Sequence, residues 1–478
     1  MDETTVPLLP ELAGVCTYAR AARVGLPVAE SVRRLLRYQW TLRRLSEILV
    51  SRLPGTPEWE VKGAFALHQW LDAEHAQAVM GRVAEMRHPV PRMDVPPHPT
   101  LELALREAAA APDTLELLAG VYGVLRPALV GAWRSHLELV NPLADHPTRR
   151  ILRLALVEQE EMASWGSRVL ELLAGASGAH GARRRQAWET RVRERLDAAG
   201  GVEGAAPGAP ADGSDADGAG SPAPGEPAGA DEPLPEPVVP DLTPRRDARF
   251  RGAYNFNFPP HVVYAAPHVP ADERNLALLC KRLLEMDVPE MMASFMTERR
   301  DQPWELRRDY ARQLWDEARH SMMGEAALEA RGVAWRTIPL NVGFALRLAL
   351  HADPFDRQLV LWAIEQGLMP KETGKRYEYE TAVEAGDALS AHFHDYDWAD
   401  EVLHVQIGRK WLRHEGLEPA EAVRRGRVVH ERTWKALEAY REREPQEEWW
   451  SDFVREVLGR ETAARPEELV EDPTVIAE

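Results

Sequence analysis

Residues 303–320 read PWELRRDYARQLWDEARH, a stretch that opens on a proline and closes on the pattern DEARH at 316–320. The pattern returns as DEVLH at 400–404. In each copy a glutamate and a histidine are three residues apart, so on a helix they project from the same face. A four-helix bundle that holds two metal ions takes such a pair from each of two helices and one glutamate from each of the other two. The two patterns therefore predict a helical bundle with a metal centre.

Two further glutamates occupy the places that such a bundle requires. Glu285 precedes the first pair, and Glu365 lies between the two pairs. In a hairpin that turns near Arg299, Glu285 lies about level with Glu317 on the neighbouring antiparallel helix. The predicted metal ligands are Glu285, Glu317, His320, Glu365, Glu401 and His404.

Two other glutamates stay open as substitutes. Glu290 would lie about 7 Å closer to the turn than Glu285, at a rise of about 1.5 Å per residue. Glu372 lies beyond Pro370, where a proline is expected to kink the helix. Glu290 is the alternative to Glu285, and Glu372 is the alternative to Glu365.

The types of these side chains match two divalent cations. Carboxylates are hard anionic ligands that bridge two ions, imidazole adds one neutral ligand to each, and the set leaves positions open, as oxygen activation at iron requires. Asp316 and Asp400 each precede a ligand glutamate, and we expect them to accept the free N–H of a ligand histidine. Glu317 and Glu401 are the expected catalytic residues. The alternative is that these groups pair with arginines inside a bundle that holds no metal.

The order E, D-E-x-x-H, E, D-E-x-x-H resembles the ferritin-like di-iron carboxylate superfamily. The D-E-x-R-H form is complete at 316–320 and lacks the arginine at 400–404, and it is similar to bacterial multicomponent monooxygenases and ribonucleotide reductase small subunits. Residues 303–320 resemble an uncharacterised family of bacterial ferritin-like domain proteins, and the resemblance covers roughly residues 250–415. It implies two iron ions, or manganese or a mixed pair, that react with dioxygen or peroxide. It implies no substrate.

His394 and Asp397 continue the stripe of Glu401 and His404 along one helix face. They are candidates for additional ligands or proton relays beside the metals. A polar helix start is the alternative interpretation.

Composition argues against several classes of protein. The 478 residues carry a formal net charge of -18, which argues against a general binder of nucleic acid. No apolar run approaches the roughly 20 residues that span a bilayer, and the acidic N-terminus does not resemble a secretory signal. The two cysteines, Cys16 and Cys280, form no CxxC motif and predict a reducing cytoplasm.

The chain divides into two helical halves around an Ala/Gly/Pro/acidic stretch. Residues 200–245 are predicted to be a disordered linker, between a domain at 1–199 and a domain at 246–478 with C-terminal helices. Strand patterns are almost absent, so the predicted fold class is all-α. Together with a duplication of the two halves, the resemblance implies two ferritin-like bundles. Single helices are expected at 271–300 and, with a kink, at 354–386.

The halves share a spacing of Trp, Glu, Trp and His that predicts a duplication. Aligned on His75 and His320, Trp70 matches Trp315 and Asp72 matches Glu317. The remaining ligand positions of the first half are changed. Its fourth helix carries Glu158 and Glu161, with Met162 near the place of a histidine. Tyr122 or Val121 replaces the glutamate of the third helix, and Gln39 replaces the glutamate of the first helix. We expect a degenerate domain without a metal pair, with a mononuclear site as the alternative.

The leading functional hypothesis is a non-haem di-iron oxidoreductase, such as a monooxygenase. It would use dioxygen to hydroxylate, N-oxygenate or desaturate a small or carrier-borne substrate. An external electron donor is expected because the sequence has no flavin or nicotinamide motif. The alternatives are iron handling or peroxide scavenging, and a non-enzymatic interaction module.

Overall fold

The computed structural model describes residues 9–90, 95–204, 241–441 and 446–469, and for 438–441 it describes the backbone alone. These residues contain no β-strand, which confirms the predicted all-α class. Most of the predicted linker, residues 205–240, lies outside them. The α-helices are α1 (Tyr18–Ala21), α2 (Val28–Arg52), α3 (Trp59–Glu85), α4 (Pro99–Ala109), α5 (Thr114–Gly120), α6 (Arg126–Leu139), α7 (His146–Ala176), α8 (Gly178–Ala198), α9 (Pro260–Val263), α10 (Ala271–Leu284), α11 (Asp287–Glu298), α12 (Trp304–Glu329), α13 (Gly343–His351), α14 (Pro354–Gly367), α15 (Lys375–Glu384), α16 (Ala388–His414), α17 (Pro419–Arg441) and α18 (Trp450–Leu458).

The chain forms two compact units, and two of the boundaries between them fall inside helices. The first unit is Met1–Ile48 with Leu71–Val239, and the second is Leu49–Trp70 with Pro240–Glu478. The end of α2 and the start of α3 therefore belong to the second unit. The duplication of two bundles stays a prediction.

The first unit packs α7 and α8 against α4, α5 and α6. A π-helical turn at Val121–Leu125 joins α5 to α6. Thr114–Leu139 is long and apolar enough to cross a membrane, but 78% of its most apolar window is buried. This burial is consistent with a core segment of a soluble protein.

The second unit is a bundle in which α10 with α11, α12, α14 and α16 form the four walls. Neighbouring walls pack in the order α10/α11, α12, α16 and α14, and α11 closes the ring against α14. Asp353 and Asp387 start α14 and α16 by accepting hydrogen bonds from backbone N–H groups of the first turn. Gly408 allows α16 to approach α14 closely, since a Cβ there would lie 2.0 Å from Trp362 Cδ1.

Two helices predicted as continuous are interrupted, and each interruption lies at or close to a predicted metal ligand, Glu285 or Glu365. The helix expected at 271–300 breaks at Glu285, because the ring of Pro289 excludes the helical carbonyl four residues earlier. The helix expected at 354–386 ends at Gly367 and restarts at Lys375. Pro370 cannot continue a helix, and a Cβ at Gly374 would lie 2.0 Å from the Leu368 carbonyl oxygen. The prediction of a kinked helix was wrong: this segment is a closed loop that leads into α15.

Candidate metal centre

All six predicted ligands lie in the interior of the second unit. Glu285 follows α10 directly, Glu317 and His320 project from α12, Glu365 lies near the end of α14, and Glu401 and His404 project from α16. Each is buried except Glu285, whose side chain is 13% exposed. Helix spacing therefore places these ligands, and the packing of the four walls brings them together.

The ligands form two overlapping groups. In site A, ligand atoms of Glu317, Glu365, Glu401 and His404 lie within 4.8 Å of one another. In site B, Glu285, Glu317 and His320 do so. Glu401 also reaches site B, because its Oε1 lies 3.9 Å from His320 Nδ1.

Glu317 and Glu401 each turn one oxygen toward each site. Oε1 of Glu317 lies 3.1 Å from His404 Nδ1, and its Oε2 lies 3.7 Å from His320 Nδ1. Oε2 of Glu401 lies 3.2 Å from His404 Nδ1, and its Oε1 faces His320. Two carboxylates placed in this way could each contribute an oxygen atom to both sites.

Asp316 and Asp400 contact the ligand histidines crosswise. His320 Nε2 lies 3.2 Å from Asp400 Oδ2, and His404 Nε2 lies 3.4 Å from Asp316 Oδ2. Arg319 donates to both aspartates at 2.7 Å. The aspartates favour the tautomer that carries hydrogen on Nε2, so that Nδ1 of each histidine is left to face the carboxylates.

The donor atoms fit a metal pair. Glu317 Oε1 and His320 Nδ1 are buried and make no hydrogen bond within the described part of the chain. Burial, together with the negative charges of Glu401 and Glu317, raises the pKa of Glu365 well above its usual range. Burial opposes a charged His320, but the negative charge of Asp397, the hydrogen bond to Asp400 and the negative charge of Glu317 outweigh it and raise the pKa of His320 to about 10. Both shifts show that the cluster favours added positive charge.

Two buried cations beside site B were not predicted from the sequence. Lys375 Nζ lies 2.9 Å from Glu401 Oε1 and 3.5 Å from Glu285 Oε1. Arg282 donates to Glu285 and to Asp397 at 2.8 and 2.5 Å. Arg282 precedes Glu285 by three residues and so shares its helix face, which is a signal that sequence reasoning missed. Lys375 follows a loop, and no periodic pattern marks it.

His394 and Asp397 are buried in the same interior. Asp397 Oδ1 lies 3.2 Å from His320 Nδ1. Arg282 donates to His394 Nδ1 at 3.0 Å, and burial and the Arg282 charge lower the pKa of His394 to about 3. Asp397 belongs to two further groups of potential ligands, one with His320 and Glu401 and one with His394 and Glu378. Glu378 pairs with Lys281 and Arg282, so the group of Glu378, His394 and Asp397 has its own counter-charge.

The two substitute glutamates lie elsewhere. Glu290 is buried and bound by Lys62 Nζ at 2.5 Å and by Arg246 at 2.6 and 3.0 Å. Glu372 is exposed in the loop between α14 and α15. Neither belongs to a ligand group among the described residues.

The first unit has a different interior at the corresponding helices. Asp72 accepts hydrogen bonds from Arg126 at 2.9 and 2.8 Å and from Gln159 at 2.8 Å. His75 Nε2 lies 2.7 Å from Glu158 Oε2. Met162 is buried and Glu161 is exposed. An arginine therefore neutralises the aspartate that aligns with Glu317.

Comparisons with known proteins gave no match to a family model, to a curated protein or to a solved structure.

Proposed function

We propose that this protein is a dinuclear non-haem iron oxidoreductase of the ferritin-like type. It would use dioxygen to oxidise a small or carrier-borne organic substrate in the cytoplasm. The observation that supports the proposal is that Glu317 and Glu401 each turn one carboxylate oxygen toward His404 Nδ1 and the other toward His320 Nδ1. Manganese or a mixed pair would fit the same donors.

Different residues would hold the two ions. Glu317 and Glu401 would bridge them, while Glu365 and His404 complete site A and Glu285 and His320 complete site B. When bound, the metal pair would supply the reduction of dioxygen with electrons from an external donor. Asp316 and Asp400 would accept the Nε2 hydrogen of the two histidines, which would leave each Nδ1 free to hold a metal ion.

The proposed reaction balances with a reductant. Insertion of one oxygen atom into a C–H or N–H bond consumes one dioxygen, two electrons and two protons, and it releases one water. The second oxygen atom leaves in that water. The burial of the ligands excludes bulk solvent, which protects reactive species from side reactions.

Iron loading of the full-length chain tests this proposal. We expect two ferrous ions per chain under anaerobic conditions and a change in near-ultraviolet and visible absorption when dioxygen is admitted. Glu317→Gln or His404→Ala is expected to abolish the change, and Glu372→Gln, at the exposed loop glutamate, is the matched control. A chain that binds no iron contradicts the proposal, and many irons per chain in a large particle would indicate storage instead.

A further inference from the structure

The two sites differ most in their neighbouring cations. Site A draws on three glutamates and one histidine, and site B draws on three glutamates, one histidine and Asp397, which lies 3.2 Å from His320 Nδ1. The two sites share Glu317 and Glu401. Site B faces Lys375 and Arg282. Within the described residues, the carboxylates of Glu317 and Glu365 form no ion pair with a lysine or arginine; Gln313, a neutral donor, contacts Glu365 Oε1 at 3.0 Å.

Lys375 is held in place from both ends. Its backbone N–H donates to the Leu368 carbonyl at 3.0 Å, which closes the loop before α15. Its ammonium group is fully buried and lies 3.1 Å from both oxygens of Asp397. Moving it away would leave the buried Asp397 with one fewer counter-charge, beside Arg282 and His320, so the ammonium stays near the oxygen that Glu401 turns toward site B.

Arg282 adds a second fixed charge on the same side. It bridges Glu285, Asp397 and Glu378 and is 2% exposed. A cation that enters site B therefore meets two buried positive charges in a medium of low dielectric constant, where charge repulsion is strong.

We propose that Lys375 makes the two sites unequal, so that the first metal ion binds in site A and the second binds more weakly in site B. This inference rests on the proposed dinuclear centre. Site B has one carboxylate more than site A, Asp397, but this carboxylate is already paired with Lys375 and Arg282. We therefore attribute the difference in affinity to the cations beside site B. A protein of this kind passes through a state with one metal ion, in site A, during assembly.

Manganese titration of the full-length protein tests the order of binding. Free Mn²⁺ is counted by its sharp electron paramagnetic resonance signal, and bound pairs are detected by spin coupling at low temperature. We expect one tight equivalent without spin coupling, followed by a weaker second equivalent that introduces coupling. His404→Ala should remove the tight equivalent, and His320→Ala should keep it and lose only the second. The reverse pattern would overturn the assignment.

Substitution of the lysine tests its role. Lys375→Met is expected to tighten binding of the second equivalent by about tenfold or more, because it removes a buried positive charge beside site B where charge repulsion is strong. Lys371→Met removes the same charge from an exposed position in the same loop and should leave both affinities unchanged. Lys375→Arg keeps the charge and should keep the weak second site.

The outcomes separate this inference from the proposed function. Two equal sites in the wild-type protein, or a second affinity that Lys375→Met does not change, would overturn the role of Lys375 and leave a dinuclear centre intact. Failure to bind a second ion at any concentration, in the wild type and in Lys375→Met, would overturn the dinuclear function itself. If Lys375→Met does not fold, the two histidine variants still decide the order of binding.

Discussion

The Nε2 atom of His320 lies 3.2 Å from Oδ2 of Asp400, the aspartate of the other motif. His404 and Asp316 make the reciprocal contact. Each aspartate therefore orients a histidine on the neighbouring helix, and Arg319 ties the two aspartates together. As a result, the orientation of the metal-facing Nδ1 atoms depends on the packing of α12 against α16.

This crossed pairing predicts site-selective effects. Asp400→Asn removes the charge that orients His320, so it should weaken metal binding in site B by about 10–100-fold and affect site A less. Asp316→Asn should do the opposite through His404. Manganese titration measures both affinities, and Asp395→Asn, at an exposed position of the same helix, is the control. Equal losses at both sites in both variants would contradict the pairing.

The cluster around Glu290 predicts a variant that loses stability and keeps its metal. Glu290→Ala leaves Lys62 and Arg246 buried without their carboxylate, and such losses cost about 3–5 kcal/mol. Urea unfolding of the full chain should show this decrease, while iron still binds at the wild-type stoichiometry. A fall in stoichiometry in the folded variant would make Glu290 a ligand in place of Glu285.

Local rules account for the parts of the site that lie on single helices. The spacing of three residues predicted that Glu317 and His320 share a face, and likewise Glu401 and His404, because a helix has about 3.6 residues per turn. The same spacing puts Arg282 and Glu285 on one face. The break at Glu285 follows from Pro289, four residues later, and was also readable from the sequence.

Contacts between helices were not predictable in the same way. Lys375 reaches site B because a loop closed by Gly374 ends beside α16, and no periodic pattern encodes the path of such a loop. The pairing of Asp400 with His320 instead of His404 depends on the relative rotation of α12 and α16. Hydrophobic spacing alone does not specify that rotation.

His136 predicts a pH-dependent stability in the first unit. It is fully buried, neither ring nitrogen has a hydrogen-bond partner in the described residues, and burial with the Arg34 charge lowers its pKa to about 4. Between about pH 6.5, the pKa of His136 in the unfolded chain, and about pH 4, only the unfolded chain binds a proton at His136. The contribution of the neutral histidine to the free energy of unfolding is therefore present above about pH 6.5 and is lost as the pH falls toward 4. The loss reaches up to about 3 kcal/mol at about 1.4 kcal/mol per pKa unit.

His136→Phe keeps a ring of similar size and removes this titration. Urea unfolding at pH 8 and at pH 5 measures the free energy of unfolding of the wild type and of the variant. We expect the variant to be more stable relative to the wild type at pH 5 than at pH 8. The comparison at pH 8, where the histidine is neutral in both states, sets the cost of the substitution itself. The same difference at both pH values would contradict the assignment.

Asp72 aligns with the predicted metal ligand Glu317, but its pairing with Arg126 predicts a structural role for Asp72. Both side chains are fully buried, and Arg126 donates to both oxygens of Asp72 at 2.9 and 2.8 Å. Arg126→Met leaves Asp72 buried without its counter-charge, which should lower the free energy of unfolding by about 3–5 kcal/mol. Arg134→Met breaks the exposed pair with Glu160 and should cost less than about 1 kcal/mol.

Adding Asp72→Asn to Arg126→Met removes the unpaired charge and should recover part of the loss, because the two residues act as a unit. If the double variant is no more stable than Arg126→Met alone, the arginine stabilises the unit through packing and not by neutralising Asp72.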